Sequence, residues 1–169
     1  PPQVKGRIIQ FASRKALDID GLGTEIVNQL VAAGLIHTYA DLYDLTYDQL
    51  IALDRFADLS TKNLLAGIEK SREIPFDRVL FALGIRHVGA TVARKLARHF
   101  GQLDALRSAS EEELVAISDI GPQIAQSVRS FFDDIRNHEI VDRLRQSGLQ
   151  FQLAEKGDQA DLLVGKSFV

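Results

Sequence analysis

The stretch "LGIRHVGATVARKL", Leu83 to Leu96, sets a glycine-bounded turn directly before a run carrying Arg94 and Lys95, with Arg98 just beyond. Val92, Leu96 and Phe100 recur every four residues, the spacing of one helical face. Arg94 and Arg98 are also four apart, as are Lys95 and His99, and both pairs fall away from that face. The stretch reads as a turn feeding an amphipathic helix with a cationic outer side. Yet the chain carries a formal net charge of -3. Cations gathered behind a bare turn need a reason.

The same pattern recurs along the chain. Gly21-Leu22-Gly23, Arg55-Phe56-Ala57, His87-Val88-Gly89 and Asp119-Ile120-Gly121 begin 34, 32 and 32 residues apart. Each precedes an apolar helical segment: "TEIVNQLVAAG", "STKNLLAGIEK", "TVARKLARHFG" and "QIAQSVRSFF". A period near 33 signals two-helix units that cannot bury their apolar faces alone and so pack against neighbours. Thr46 with Gln49 and Ser110 with Glu113 have the spacing of capping boxes, while Gly34, Gly101 and Gly148 fall where helices should stop. Tyr39, Tyr43 and Tyr47 share one helical face, which predicts packing rather than base stacking. The expected fold is all-α.

Composition bounds the function classes. A chain of 169 residues with 46% hydrophobic side chains hides roughly 70% of its unfolded surface, enough for a core without staples. It has no cysteine, which excludes disulfides and thiolate metal sites within the stretch and fits a cytoplasmic setting. No apolar run approaches the roughly 18–20 residues of a membrane span. The opening "PPQVKG", the absence of methionine and the closing "LLVGKSFV" lead us to expect cuts in a longer protein at both ends. Charge is segregated. Residues 78–107 hold Arg78, Arg86, Arg94, Lys95, Arg98 and Arg107 against Asp104, six minus one or +5, and residues 1–17 hold four cations and no acid, or +4.

The turns suggest what the cations serve. Glycine there permits positive φ and lets an outside group approach the backbone. The helix that follows points its unpaired N–H groups and the positive end of its dipole outward. Such a corner holds a phosphate without any side chain. Thr24 and Thr91 can add a hydroxyl, and Arg94, Lys95 and Arg98 add longer-range attraction.

These are the features of the helix-hairpin-helix motif, four times over. "SRKALDIDGLGTEIVNQL", "ALGIRHVGATVARKLA" and "DIGPQIAQSVRSFF" closely resemble the helix-hairpin-helix region of bacterial NAD-dependent DNA ligases, and the resemblance runs the length of the chain in order. The opening "PPQVKGRI" resembles the segment after the last zinc-binding cysteine of that family, and "LVGKSFV" the first strand of its BRCT domain. The resemblance implies a lead-in helix over 1–15, a tandem hairpin domain over 16–150 with its four motifs packed in pairs, a linker over 151–160 and a strand-like BRCT stump over 161–169. It also implies a partner, nicked duplex DNA gripped along its backbone during replication and repair. Carried over by position, the contacts are Gly21, Gly23 and Thr24; then Arg86, His87, Gly89, Ala90, Thr91, Arg94 and Lys95; then Gly121, Pro122 and Gln123. At the second hairpin Arg55 and Ala57 stand where glycines are common, so it is either a spacer or a contact through Arg55.

No catalytic, cofactor or metal site is expected within the chain. The family's NAD, magnesium and structural zinc are implied only outside it. Adenylation needs a nucleophilic lysine in a Lys-x-Asp-Gly setting, and "DIDG" has Asp18 in the lysine's place, with Asp18 and Asp20 expected to flank or cap the turn. "GLGTEI" lacks the third glycine and the preceding strand of a dinucleotide fingerprint. His37, His87, His99 and His138 are dispersed, and Glu111 to Glu113 suit a helix start. Two rivals stand beside the ligase reading. One is a helical protein-interaction scaffold, and the other a helix-hairpin-helix module of another repair protein.

Overall fold

Thr46 and Ser110 begin helices as their spacing predicts, each with a reciprocal capping box. Gln49 N donates to Thr46 Oγ1 while Thr46 N donates to Gln49 Oε1, and Ser110 and Glu113 exchange the same pair of bonds. A third box, at Thr38 and Asp41, opens a 3-10 helix. The computed structural model describes residues 2–153. In order, α1 spans Pro2–Ala12, α2 Thr24–Ala32, the 3-10 helix Tyr39–Asp44, α3 Tyr47–Ile51, α4 Asp58–Ser71 and α5 Phe76–Ala82. Then come α6 Ala90–Phe100, α7 Leu103–Arg107, α8 Glu111–Val115, α9 Pro122–Asp133 and α10 Ile135–Gln146. The chain is all-α, and no strand occurs among the described residues.

The four hairpins join α1 to α2, α3 to α4, α5 to α6 and α8 to α9, and each pair of helices packs together. Gly34, Gly101 and Gly148 follow helix ends in the left-handed region, at φ 74°, 74° and 98°. The helices' apolar stripes meet in one core. It runs from Ile8 and Phe11 on α1, through Leu30, Leu64, Leu80 and Leu96, to Leu114, Val128 and Leu144.

The junction between the two halves is polar as well as apolar. Phe11 stacks on Tyr39, ring centroids 4.4 Å apart and 9° from parallel. The Tyr39 hydroxyl donates to Leu83 O at 2.9 Å, tying the 3-10 helix to the end of α5. Tyr43 and Ser71 hydroxyls meet at 2.7 Å in the interior. The helical run is interrupted by extended backbone at Leu45–Thr46, so Tyr47 leaves the common face and instead donates to Asp58 at 2.6 Å. Packing accounts for Tyr39 and Tyr43 only.

α10 closes the molecule. Arg143 bridges Asp41 and Asp44 of the 3-10 helix at 2.8 and 2.7 Å. Burial alone would raise the Asp41 carboxyl, but the amides of His37 and Thr38 together with Arg143 hold it below the usual carboxylate range. Residues 148–153, the last three of them within the expected linker, pack on the domain instead. Leu149 and Phe151 are buried, Leu103 N donates to Phe151 O at 2.8 Å, and Leu153 N to Gly101 O at 2.8 Å. The alternation of Leu149, Phe151 and Leu153 lets an extended segment lay one side on the core. Residues 154–169, including the rest of the linker and the BRCT-like stump, lie outside the described residues.

Candidate nucleic-acid interface

Each hairpin turn has one backbone plan. A residue in the left-handed region comes first, at Gly21, Arg55, His87 and Asp119 (φ 87°, 76°, 68° and 71°). An apolar residue follows and plugs the core; Leu22, Val88 and Ile120 are buried, while Phe56 is half-buried. The N-cap comes third, at Gly23, Ala57, Gly89 and Gly121. Phe56, Val88 and Ile120 each donate a backbone N–H to the residue three before.

This corrects the expected role of the glycines. Positive φ is needed at the first position, and only the first hairpin fills it with glycine. Gly23, Gly89 and Gly121 sit at φ -85°, -87° and -88°, ordinary values for any residue. A Cβ built at any of the three would meet nothing within 4 Å. None of the three corners has a side-chain cap, although serine or aspartate there would stabilise the helix by roughly a few tenths of a kcal/mol over glycine. Neither strain nor crowding inside the chain asks for glycine at these corners. The open space leaves room for something outside to approach the backbone closely.

The amides at these corners are open. Helical bonding begins with Val27 N to Gly23 O, Ala93 N to Gly89 O and Ala125 N to Gly121 O. Before those, the N–H groups of Thr24, Glu25 and Ile26, of Ala90, Thr91 and Val92, and of Gln123 and Ile124 find no acceptor among the described residues. Pro122, at the first helical position, has no N–H to leave unpaired.

Hairpins one and two pack together, as do three and four. Glu25 on α2 is ion-paired with Arg55 of the second turn, and Gln29 Nε2 donates to Asp54 O at 2.5 Å. On the other side Gly21 faces Leu64 of α4. In the second pair Lys95 on α6 is ion-paired with Asp119 of the fourth turn. Gln123 on α9 meets His87 of the third turn, 3.2 Å between their Nε2 atoms. These contacts bring Gly89 and Gly121 to one surface.

The second hairpin is the exception. Ser60 Oγ accepts from Ala57 N at 2.9 Å, and Asp58 stands at the first helical position. The Tyr47 hydroxyl, then Lys62, hold the Asp58 carboxyl below its usual range. Asp58 thus puts a carboxylate at the first helical position, where the other three hairpins have Thr24, Ala90 and Pro122, and Arg55 is taken by Glu25.

The cations of residues 78–107 divide by partner. Arg78 donates to Lys15 O and Arg14 O. Arg107 pairs with Asp142 and touches His138, with 17% of its side chain exposed. Both are structural, and Lys95 is held by Asp119. Arg86, Arg94 and Arg98 are exposed and have no carboxylate partner among the described residues. Asp18 and Asp20 are exposed and flank the first turn, but Gly23 holds the capping position and neither side chain caps α2. A cleft of about 1030 Å³ beside His87, between α1, α9 and α10, holds Arg7 and Arg86. Its other arginines, Arg136 and Arg143, are satisfied by Asp134 and by Asp41 with Asp44.

A family model described as the helix-hairpin-helix motif matches residues 78–141, which hold the third and fourth hairpins. The whole chain is 55% identical over 171 residues to a DNA ligase of Christiangramia forsetii. It is 49% identical to one of Flavobacterium johnsoniae, again over its full length, and 45% identical to one of Acidobacterium capsulatum. The chain is a helix-hairpin-helix region of the DNA ligase family. It spans about a quarter of the length of these relatives, 26%, 26% and 25%.

This helix-hairpin-helix region does not fit the groups that ligase chemistry uses. It has no cysteine for a structural zinc, and no group of three His, Asp or Glu side chains is placed to hold a metal among the described residues. Asp18, where an adenylated lysine would stand, is an exposed turn residue at φ 52°. What the region offers is open amides, unpaired arginines and a rigid frame. No helix among the described residues is long and apolar enough to cross a membrane.

Proposed function

We propose that this chain is the DNA-binding region of an NAD-dependent DNA ligase. It grips the phosphate backbone of nicked duplex DNA without reading sequence, in the service of replication and repair in the cytoplasm. NAD, magnesium and zinc belong to other parts of that protein. The observation that carries the reading is the trio of capping glycines, Gly23, Gly89 and Gly121, which no internal constraint requires and whose missing side chains face open space. A phosphate oxygen reaching the amides behind them needs that space. Arg86, Arg94 and Arg98 supply the attraction that draws a polyanion to the corners, and Thr24 and Thr91 stand exposed beside them.

The first, third and fourth hairpins make the contacts in this reading, and the second is a spacer whose own carboxylate turns phosphate away. A protein-interaction scaffold has no use for bare amides aimed outward, which places that rival second.

The test is titration of a fluorescent nicked duplex with the 169-residue chain across about 50–300 mM salt. The logarithm of affinity should fall linearly with the logarithm of salt, by about 0.9 per phosphate neutralised. Replacing all three capping glycines by alanine should weaken binding at least tenfold at matched folding, with the poorer caps costing about 1–2 kcal/mol of stability in all. Binding indifferent to salt, or to the three substitutions, overturns the proposal.

A further inference from the structure

The fourth hairpin holds a carboxylate where the third holds an imidazole. Asp119 occupies the left-handed position two residues before Gly121, at φ 71°. Asparagine, aspartate and glycine tolerate that conformation best, so the backbone accounts for a small polar side chain but not for its charge. The Asp119 side chain is 70% exposed and ion-paired with Lys95, itself 34% exposed on α6. Lys95 leaves the neighbouring Arg94 and Arg98 without such a partner. Of the four cations around the paired third and fourth turns (Arg86, Arg94, Lys95 and Arg98), one is therefore cancelled by the turn itself.

We infer that Asp119 is an internal competitor for Lys95 that lowers the affinity of the fourth hairpin for a phosphodiester. The inference rests on the DNA-backbone reading above. A phosphate approaching the Gln123 and Ile124 amides meets a carboxylate two residues from Gly121. To use Lys95 it must displace that carboxylate, and displacement by a like-charged group costs most of what the contact returns. The first hairpin has Gly21 at the equivalent position, so no carboxylate stands there, although Asp20 precedes it. The grip of the third and fourth hairpins is thus weaker than their cations allow, and more readily released.

Asp119→Asn keeps the backbone tolerance and removes the charge. On labelled nicked duplex it should bind about fivefold tighter near 50 mM salt, with a salt slope steeper by about 0.9, the value of one added phosphate contact. Lys95→Gln, combined with Asp119→Asn, should abolish the gain, because the lysine that Asp119→Asn sets free is then missing. Asp119→Gly should reproduce the gain. If Asp119→Gly tightens binding and Asp119→Asn does not, backbone relief rather than charge is responsible and the inference fails. It fails equally if wild type binds with the expected salt dependence and Asp119→Asn binds no tighter. Salt-indifferent binding by every variant would instead defeat the DNA reading beneath it.

Discussion

Gln123 Nε2 lies 3.2 Å from His87 Nε2, joining the second residue of α9 to the left-handed corner of the third hairpin. Two turns 32 residues apart in the chain thereby become neighbours, and the open amides behind Gly89 and Gly121 share a surface. In the proposed function a duplex backbone would meet both corners together, so the pairing of turns, rather than any one turn, would suit the region to an extended polyanion.

Glycine has different work at Gly89 and at Gly101. Gly89 sits at an ordinary φ with open space beside it, whereas Gly101 sits at φ 74°. Gly89→Ala should leave unfolding free energy within about 0.5 kcal/mol of wild type and weaken DNA binding about tenfold. Gly101→Ala should cost about 1 kcal/mol of stability and leave binding unchanged once folded. Urea melts paired with fluorescence anisotropy separate the two, and equal binding losses would refute the assignment.

Arginines on one short segment should sort by partner. Arg86→Gln, Arg94→Gln and Arg98→Gln should each flatten the salt slope of DNA binding by about 0.9, with little change in stability. Arg107→Gln should leave the slope alone. Its partners Asp142 and His138 lose a largely buried guanidinium, so the melting temperature should drop by several degrees, as a loss of about 1–2 kcal/mol would give.

Asp41 should make the domain acid-sensitive. Its folded carboxyl titrates below its unfolded value, so its contribution to stability is complete at neutral pH and is lost as pH falls below about 4. Wild-type stability should therefore decline between about pH 4 and pH 2 more steeply than that of Asp41→Asn. The variant should be weaker at pH 7, where Arg143 and the His37 and Thr38 amides lose their charged acceptor. Parallel pH profiles from chemical denaturation would contradict this.

Tyr43 should do the converse at high pH. Burial, opposed by the Ser71 hydroxyl and Arg72, raises its phenol to about 12. The folded state thus favours the neutral ring, a contribution present below about pH 10 and lost as pH climbs toward 12. Tyr43→Phe should cost about 1 kcal/mol near neutrality through the lost bond to Ser71, and should lose less stability than wild type between pH 10 and 12. An unchanged alkaline profile would rule the account out.

The hairpins were legible in the bare chain because their signals are local. A buried apolar residue followed by a small cap, a capping box, or a glycine after the last helical turn each act within about five residues. Thr46, Ser110, Gly34, Gly101 and Gly148 could therefore be read directly, and so could the corners at Gly23, Gly89 and Gly121. The reason for those glycines could not be read in the same way, because φ and free space belong to coordinates. The free cations were equally hidden. Lys95 meets Asp119 across 24 residues and Arg107 meets Asp142 across 35, so the count of +5 overstated what a phosphate would find. Phe151, next to polar neighbours in the chain, became core only by closing on Phe76 and α7. Local stereochemistry chose the turns; contacts between distant segments chose which charges stay open to a partner, since an ion pair depends on distance in space and not on separation along the backbone.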